Sequence, residues 1–508
     1  MGNNTQINFV ASLVKLKINF SVIIIMIIAL SAALIAANIP TGLGAYAEAG
    51  YDFGGPLPSP KPMISVLDLG AVPNDNQDDT DAFQEAIDQG GVISIPEGEF
   101  KLSRRLIVRK RGTVLLGAGS EKTTLRFTKS LEQLEPWPSS TTEGVPTTNW
   151  SWWGGLITFE GSSREGKPVE FASAKRGDVH IKLDRTNMFK AGDGAVILLS
   201  AGNNPTRLIK FLYAGDAGNI SRLKAPSKVR ISVRIAAVTP TEITLTKPLL
   251  IDLPAEFTPA IATTGARDDY GIRGVGFRLT QARYRGHFRE DGWNPIQFRN
   301  VHHGWMEDIL CSGVDSGPYI SGGSYVTVRN IVFEAGRRAD GSGAVGHHGI
   351  SLGGRAHRLE DFDFKTRFLH DISFSPWSNG NVVRNGRANG LSLDFHKQGP
   401  FANLVTNVTT DVGKFVFNSS GGSNLGYNAG GWNIFWNIEA NDTIVGPRSF
   451  FGPSKNTFVG IDWRPSAPFR FTVSPLRDGD SRDLWLSLRE GLVGRTADRV
   501  FVLKPVEK

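Results

Sequence analysis

The sequence predicts an all-β protein: a right-handed, single-stranded parallel β-helix (a solenoid) with an N-terminal capping helix and a β-rich insert. Three observations lead there. Glycine is abundant, at 58 of 508 residues, and many short Val/Ile/Phe segments are bounded by Gly and Asn, the pattern of strands joined by tight turns. From Gly274 onward apolar triplets recur: Ile296-Gln297-Phe298, Tyr319-Ile320-Ser321, Ile350-Ser351-Leu352, Ile372-Ser373-Phe374, Leu393-Asp394-Phe395 and Phe415-Val416-Phe417, the last three steps being 22, 21 and 22 residues. A second set of strand-like segments interleaves at 326–331, 358–362, 382–385 and 403–408, so each step holds two strands, as one solenoid coil requires.

The elements follow in chain order. Lys15 and Lys17 precede an apolar run over 20–37, and small residues follow, with Ala45-Tyr46-Ala47 as a cleavage-type site. Residues 1–47 therefore read as a signal peptide, with an uncleaved membrane anchor as the alternative, because the run nears the length of a spanning helix. Either reading places the folded part outside the cytoplasm, in the periplasm, at the cell surface or beyond. Residues 48–60 (EAGYDFGGPLPSP) read as a linker. Over 61–145 a strand, a loop, a helix and further strands at 92–95, 106–108 and 113–116 are expected, as cap and first coils. Asp78, Asp79 and Asp81 stand just before the apolar-periodic Phe83, Ala86 and Ile87, where carboxylates accept from free helix N–H groups and complement the dipole. A calcium loop is the alternative for this cluster, though its spacing is not that of an EF-hand. Residues 146–265 break the coil pattern, and GDGAVILLS, RISVRIAAV and TEITLTKPLLI read as strands of a separate insert. Coils resume over 266–440, with RRADGSGAVGHH thrown out as a loop, and 441–508 hold a last coil and a tail.

The N-terminal segment resembles the opening of the pectate-lyase-like β-helix superfamily. The matches are Leu69-Gly70-Ala71, Asp78-Asp79-Thr80, Ala82-Phe83-Gln84, Ala86-Ile87 and Ile95-Pro96 with Gly98. The resemblance implies the fold and a helix covering the first coil. It leaves activity open, since this scaffold hosts lyases, hydrolases and phage tailspikes. Further along, the chain resembles a subgroup of secreted bacterial members carrying a domain of unknown function. The residues are Gly286-His287 with Glu290, Trp305, Gly346-His347-His348-Gly349-Ile350, and Asp394-Phe395-His396 with Pro400 and Asn403-Leu404. It departs at Phe395, where the subgroup has His. What this implies is fold and export; it fixes no reaction.

Composition narrows the partners. The net charge is +7, which suits either a plain basic surface or an acidic partner such as a uronic-acid polysaccharide. Zinc-ligand spacing, RNP-like motifs and dense Lys/Arg runs are missing from the sequence, which argues against nucleic acid. The single cysteine, Cys311, lies in the apolar stretch MEDILCSG and reads as a packed core thiol. Nothing in the sequence sets the oligomeric state, and a membrane enters only through an uncleaved N-terminal segment.

Strand alternation then selects candidate site residues. If Ile350, Leu352, Ile372, Phe374, Leu393 and Phe395 point inward, then Asp371, Asp394 and His396 share one outer face. His347 and His348 stand at its edge beside the inserted loop. Lys397, Arg384 and Arg387 lie in turns nearby and are expected to bind substrate, as are His287 and Glu290. Trp150, Trp152 and Trp153, in NWSWWGG, suit either stacking on sugar rings or plain packing. Two reactions fit this set. A lyase needs a base (His348, His396 or Lys397) and a cation against the uronate carboxylate, from Arg384, Arg387 or a Ca2+ held by Asp371 and Asp394. An inverting glycoside hydrolase would use Asp371 and Asp394 as its two carboxyl groups. The net positive charge favours the lyase. A non-catalytic polysaccharide-binding or adhesin solenoid is the third reading. The three His and two Asp would also suit a metal, but their spread over several turns assigns no metal ligand.

Overall fold

The computed structural model describes residues 41–141, 143–162, 164–224, 226–279, 283–448, 450–452, 456–459, 461, 463–464 and 500–502. The chain winds as a parallel β-helix. Short strands Leu106–Val108, Ile157–Glu160, Ile296–Arg299, Tyr319–Ser321, His348–Leu352, His370–Phe374 and Leu393–Phe395 pair in parallel, in that order, into one sheet. Longer strands, among them Gly271–Arg278, His302–Ser312, Ser324–Glu334, Arg358–Phe364, Val382–Ala388, Leu404–Thr410 and Ile434–Ala440, form a second parallel sheet. The expected triplet Phe415-Val416-Phe417 forms no strand. Gly413–Phe415 is a tight 3-10 turn, pinned where the Gly413 N–H donates to Asp442 at 2.5 Å; Val416 and Phe417 fill the core outside any strand, and the Val416 carbonyl accepts from the Leu393 N–H at 3.0 Å.

Each long strand bends at one register position. Gly274, Asp308, Asn330, Asp361, Asn385, Asn407 and Asn437 align across successive coils, with φ between 53° and 69°. Gly, Asn and Asp tolerate this left-handed conformation where other residues clash. Each long strand therefore presents two faces and the short-strand sheet a third. Inside, Ile350, Ile372 and Leu393 stack in one column and Leu352, Phe374 and Phe395 in another, all fully buried. Phe374 and Phe395 stack with ring centres 4.4 Å apart. Phe395, where the resembling subgroup has His, is thus a core residue. Cys311 is buried in the same core, as expected. At one corner Asn381, Asn403, Asn433 and Asn456 form a ladder, each carbonyl oxygen accepting from the previous asparagine's backbone and amide N–H groups at 2.9–3.2 Å. The ladder satisfies polar groups that burial would otherwise orphan.

The helix Thr80–Gln89 forms where the apolar spacing places it, burying Ala82, Phe83, Ala86 and Ile87, with Phe83 against Phe100. The acidic cluster before it acts differently from the expectation. Asp78 accepts the helix N–H of Thr80 at 3.2 Å, whereas Asp79 turns back to accept from Val72 and Lys101 at 2.9 and 3.1 Å and ties two loops together. Residues 48–60 are not a free linker. The Gly50 N–H donates to the Ala356 carbonyl at 2.7 Å and the Tyr51 N–H to Thr327 Oγ1 at 2.8 Å, while Arg273 reaches the Pro58 carbonyl at 2.6 Å. This docking uses Gly50 at φ 98°. Tyr46, inside the Ala45-Tyr46-Ala47 motif, is buried. The apolar run 20–37 lies outside the described residues; among these, no helix is long and apolar enough to cross a membrane.

The insert is a six-stranded antiparallel sheet built from Val169–Glu170, His180–Lys182, Gly194–Ser200, Lys228–Val238, Glu242–Leu245 and Ala260–Thr263. Ile157–Glu160 pairs with Leu106–Val108 and Ile296–Arg299 in the short-strand sheet, so the solenoid runs past the expected boundary at 146. Toward the C-terminus Val500–Val502 pairs antiparallel with Thr457–Val459; 465–499, within the expected last coil and tail, lie outside the described residues.

Candidate active site

On the outer face of the short-strand sheet, Gln297, Tyr319, Ser351, Ser373 and Asp394 stand in one register column. His396 follows Asp394 by two residues and stays on that face. Asp371 does not. A Cβ on Gly349 would lie 2.2 Å from the core side chain Phe364, and Ile350 is also buried, so two consecutive positions face inward and the alternation slips by one. Asp371, in the next coil, is fully buried at the corner and accepts from the Phe368 and Ser392 N–H groups at 2.9 and 2.8 Å. Burial pushes its carboxyl up to about 7 against those two hydrogen bonds. The same slip turns the residues before it, His348 and His370, outward. They pair across adjoining coils, and their ring centres lie 5.1 Å apart.

The result is a cluster of five imidazoles around one carboxylate. His347 stacks on His348 with ring centres 4.0 Å apart, His287 meets His347 at 4.6 Å, and His396 lies 5.9 Å from both His348 and His370. Asp394 Oδ2 accepts from His396 Nδ1 at 2.7 Å, and Asp394 Oδ1 accepts from the Ser420 N–H at 2.9 Å. Burial opposes the Asp394 charge, but the imidazoles of His370 and His396 and the His396 hydrogen bond outweigh it and hold this carboxylate well below the usual range. Burial likewise opposes charge on His396, yet Asp394 beside it raises its pKa. Burial pushes His347, His348 and His370 down, and His287 down to about 4, which favours the neutral imidazole in each. Of the Asp394–His396 pair, Asp394 is fully buried and His396 keeps 31% of its side chain exposed.

The remaining expected residues separate. Glu290 is buried beneath the cluster, accepts from the Tyr284 hydroxyl at 2.5 Å and lies 3.5 Å from His347 Nδ1; burial pushes its carboxyl up to about 7. Lys397 follows His396, but its ammonium donates to the Gly426 carbonyl at 2.9 Å. Arg384 and Arg387 are on the long sheet, not at the site. Arg384 forms a buried fork on Glu360, and Arg387 pairs with Asp411 near the surface. The three tryptophans also divide. Trp150 is buried and donates to the Glu135 carbonyl, Trp152 leans on Phe288, which stacks on His287, and Trp153 is exposed against Tyr319.

A cavity of about 270 Å³ opens on the same face. Trp153 and Trp377 are among its walls, Lys228, Arg230 and Arg355 supply cations, Arg230 being paired with Glu165 at 2.5 Å, and among the described residues no carboxylate lines it. Ser375 lines it too, and the Phe374–Phe395 pairing sets Ser375 beside His396 in the adjoining coil. Asp394 and His396 do not themselves line the cavity; the pair lies one coil beyond its Ser375 edge. His370, Ser420, Trp377, Arg355 and Lys228 escaped the sequence reading. His370 had a signal: His348-Gly-Ile-Ser-Leu and His370-Asp-Ile-Ser-Phe align one coil apart. The insert residues had none, because their approach to the solenoid is a tertiary contact.

A parallel β-helix carrying a histidine–carboxylate cluster and a cation-lined cavity on one face is the class of protein these features define. Residues 63–167 match the family model described as rhamnogalacturonase A/epimerase, pectate lyase-like, in agreement with the pectate-lyase-like fold expected from the N-terminal phrase. No curated protein matches the chain. Among solved structures, the tailspike protein gp49 of Pseudomonas phage LKA1 is similar at 14% identity and a TM-score of 0.44, over 75% of this chain and 64% of that one. An exopolygalacturonase from Thermotoga maritima is similar at 15% identity and a TM-score of 0.39, over 80% of this chain and 78% of that one. The A-module of the mannuronan C-5 epimerase AlgE6 of Azotobacter vinelandii is similar at 12% identity and a TM-score of 0.35, over 79% and 84%. The chain thus spans under two thirds of the length of the phage tailspike.

Proposed function

We propose that this protein is an exported enzyme that cleaves an acidic, uronate-containing polysaccharide by β-elimination, with His396 as base and Asp394 as its partner. The observation that carries the reading is this pair one coil beyond the edge of a cavity with tryptophan walls and the cations Lys228, Arg355 and the Glu165-paired Arg230. Tryptophan faces suit the apolar side of a sugar ring, and the cations of Lys228, Arg230 and Arg355 suit its carboxylate. With Nδ1–H held by Asp394, His396 presents a bare Nε2 to the proton on the carbon next to that carboxylate. Removing the proton forms the new carbon–carbon double bond as the glycosidic oxygen departs, and the imidazolium can return the proton to that oxygen. The description of the matched family, which names a rhamnogalacturonase, points towards the same substrate class.

A hydrolase at this site would need a second carboxyl group flanking the bond, and Asp371 is turned into the corner. The test is incubation with a panel of polyuronates and neutral glycans. Ultraviolet-absorbing unsaturated ends from a polyuronate are expected. New reducing ends without that absorbance would make the protein a hydrolase, and retention without cleavage a binding solenoid; either would overturn the proposal.

A further inference from the structure

We infer that His287, His347 and His370 bind one divalent transition ion of the zinc class, beside the Asp394–His396 pair. One donor atom from each of the three rings lies within 4.8 Å of the others, and the same holds for His370, Asp394 and His396. The ring centres of His287, His347 and His370 are 4.6, 5.5 and 6.3 Å apart. Three imidazoles on one ion, at a bond length of about 2.1 Å, hold their centres roughly 4.5–6 Å apart, so small side-chain adjustments close the site.

Two features of the histidine side chains point to a metal ligand role. His347 Nδ1 faces only acceptors, the Ser151 carbonyl at 3.1 Å and Glu290 at 3.5 Å. The proton must therefore sit on Nδ1, which leaves Nε2 as a lone-pair donor. An imidazole fixed this way by a carbonyl and a carboxylate is the usual support of a metal-bound histidine. His370 supplies the second feature: its Nδ1, on a side chain only 8% exposed, is buried without a hydrogen bond and lies 3.7 Å from Asp394 Oδ2.

The donor set selects the ion. Three neutral imidazole nitrogens suit Zn2+, Co2+ or Ni2+, whereas Ca2+ prefers oxygen ligands, and the inward turn of Asp371 removes one of the two oxygens a Ca2+ site here would use. His287 is exposed, so the ion would keep a side open to water or to a ligand oxygen, as catalytic sites do. Only the role of the ion rests on the elimination reading: next to His396, it would join the cleft cations in neutralising the substrate carboxylate while the base removes the neighbouring proton. Binding itself does not depend on that reading.

The experiment uses the full chain without a histidine tag, stripped with chelator and dialysed against Zn2+ or Ca2+. Elemental analysis should find one zinc per chain and no matching calcium, and Co2+ should give a visible spectrum of nitrogen ligation. His347→Ala and His370→Ala should each weaken zinc binding at least 100-fold. His287→Ala, on an exposed loop, should weaken it at least tenfold without altering the melting temperature of the stripped chain, which guards against loss through misfolding. Failure of the parent to retain zinc, or parent-like retention in His287→Ala, overturns the inference. Zinc binding without elimination on any polyuronate would keep the inference and sink the elimination reading; elimination by a chain that binds no zinc would do the reverse.

Discussion

Replacing Asp394 with asparagine removes one charge while keeping the side chain's shape. In the parent, the ionised carboxylate only accepts, so His396 keeps its proton on Nδ1, 2.7 Å from Oδ2, and Nε2 is free to act as base. In Asp394→Asn the amide oxygen can still take the Ser420 N–H that Oδ1 accepts at 2.9 Å, which turns the amide NH2 toward His396. That group donates, so it stabilises the tautomer with the proton on Nε2, and the base is lost. A positioned general base contributes about 10²–10⁴ in rate, so kcat/KM should fall by that factor, about 2.7–5.4 kcal/mol of transition-state stabilisation. The pH profile tests the same point independently. In the parent the rate should rise with pH through the His396 pKa, which Asp394 lifts above the roughly 6.5 of a free imidazole. With the carboxylate gone, burial and the Lys397 charge both lower it, so the residual activity should reach its midpoint at lower pH. The assay is initial-rate absorbance of unsaturated ends across pH. Asp394→Asn within threefold of the parent, or an unmoved midpoint, would refute the pairing. Stability gives a third readout. A carboxylate with a depressed native pKa stabilises the fold above its unfolded value of about 3.9 and loses that contribution as pH falls through the native value, so the variant's stability should lack this acid dependence.

Other substitutions test the cleft and the frame. Trp153→Ala should raise KM two- to tenfold with little change in kcat, as expected for about 0.5–1.5 kcal/mol of aromatic contact; a parent-like KM would remove Trp153 from the cleft wall. Asn403→Ala takes away the oxygen that accepts from the Asn381 backbone and amide at 3.1 and 3.0 Å and the donor to Asn433, so urea unfolding should show a loss of about 2–4 kcal/mol. A loss well under that range would mean the ladder is replaceable by water. Gly50→Ala places a Cβ 2.4 Å from Thr327 Oγ1 at φ 98°, which should cost about 1–3 kcal/mol and expose residues 48–58 to proteolysis; an unchanged melting temperature would contradict the docked conformation.

Solenoid coils are local objects, and most of this one is legible in the chain. Step length, the inward columns ending at Leu393 and Phe395, the helix before Gly90 and the insert strands follow from apolar spacing and turn residues acting over a few positions. The bend was equally written, as Gly, Asp or Asn at one place in every coil, though it becomes visible only once the register is known. His347, His348, Asp394 and His396 meet because alternation and stacking are periodic. Asp371 marks where that logic stops. One extra inward residue at Gly349 reverses the phase, trades Asp371 for His370 on the outer face, and is set by the Phe364 packing rather than by local preference. Arg384 and Arg387 sit two residues or more past a turn, and only the fold tells that the turn carries them onto another sheet. Two of the cleft cations, Lys228 and Arg230, come from an insert about 90 or more residues away in sequence from the solenoid residues they face, and the docking of 50–58 depends on contacts with Thr327 and Ala356. Periodicity carries information along a strand; which surfaces meet depends on long-range packing, which no local pattern encodes.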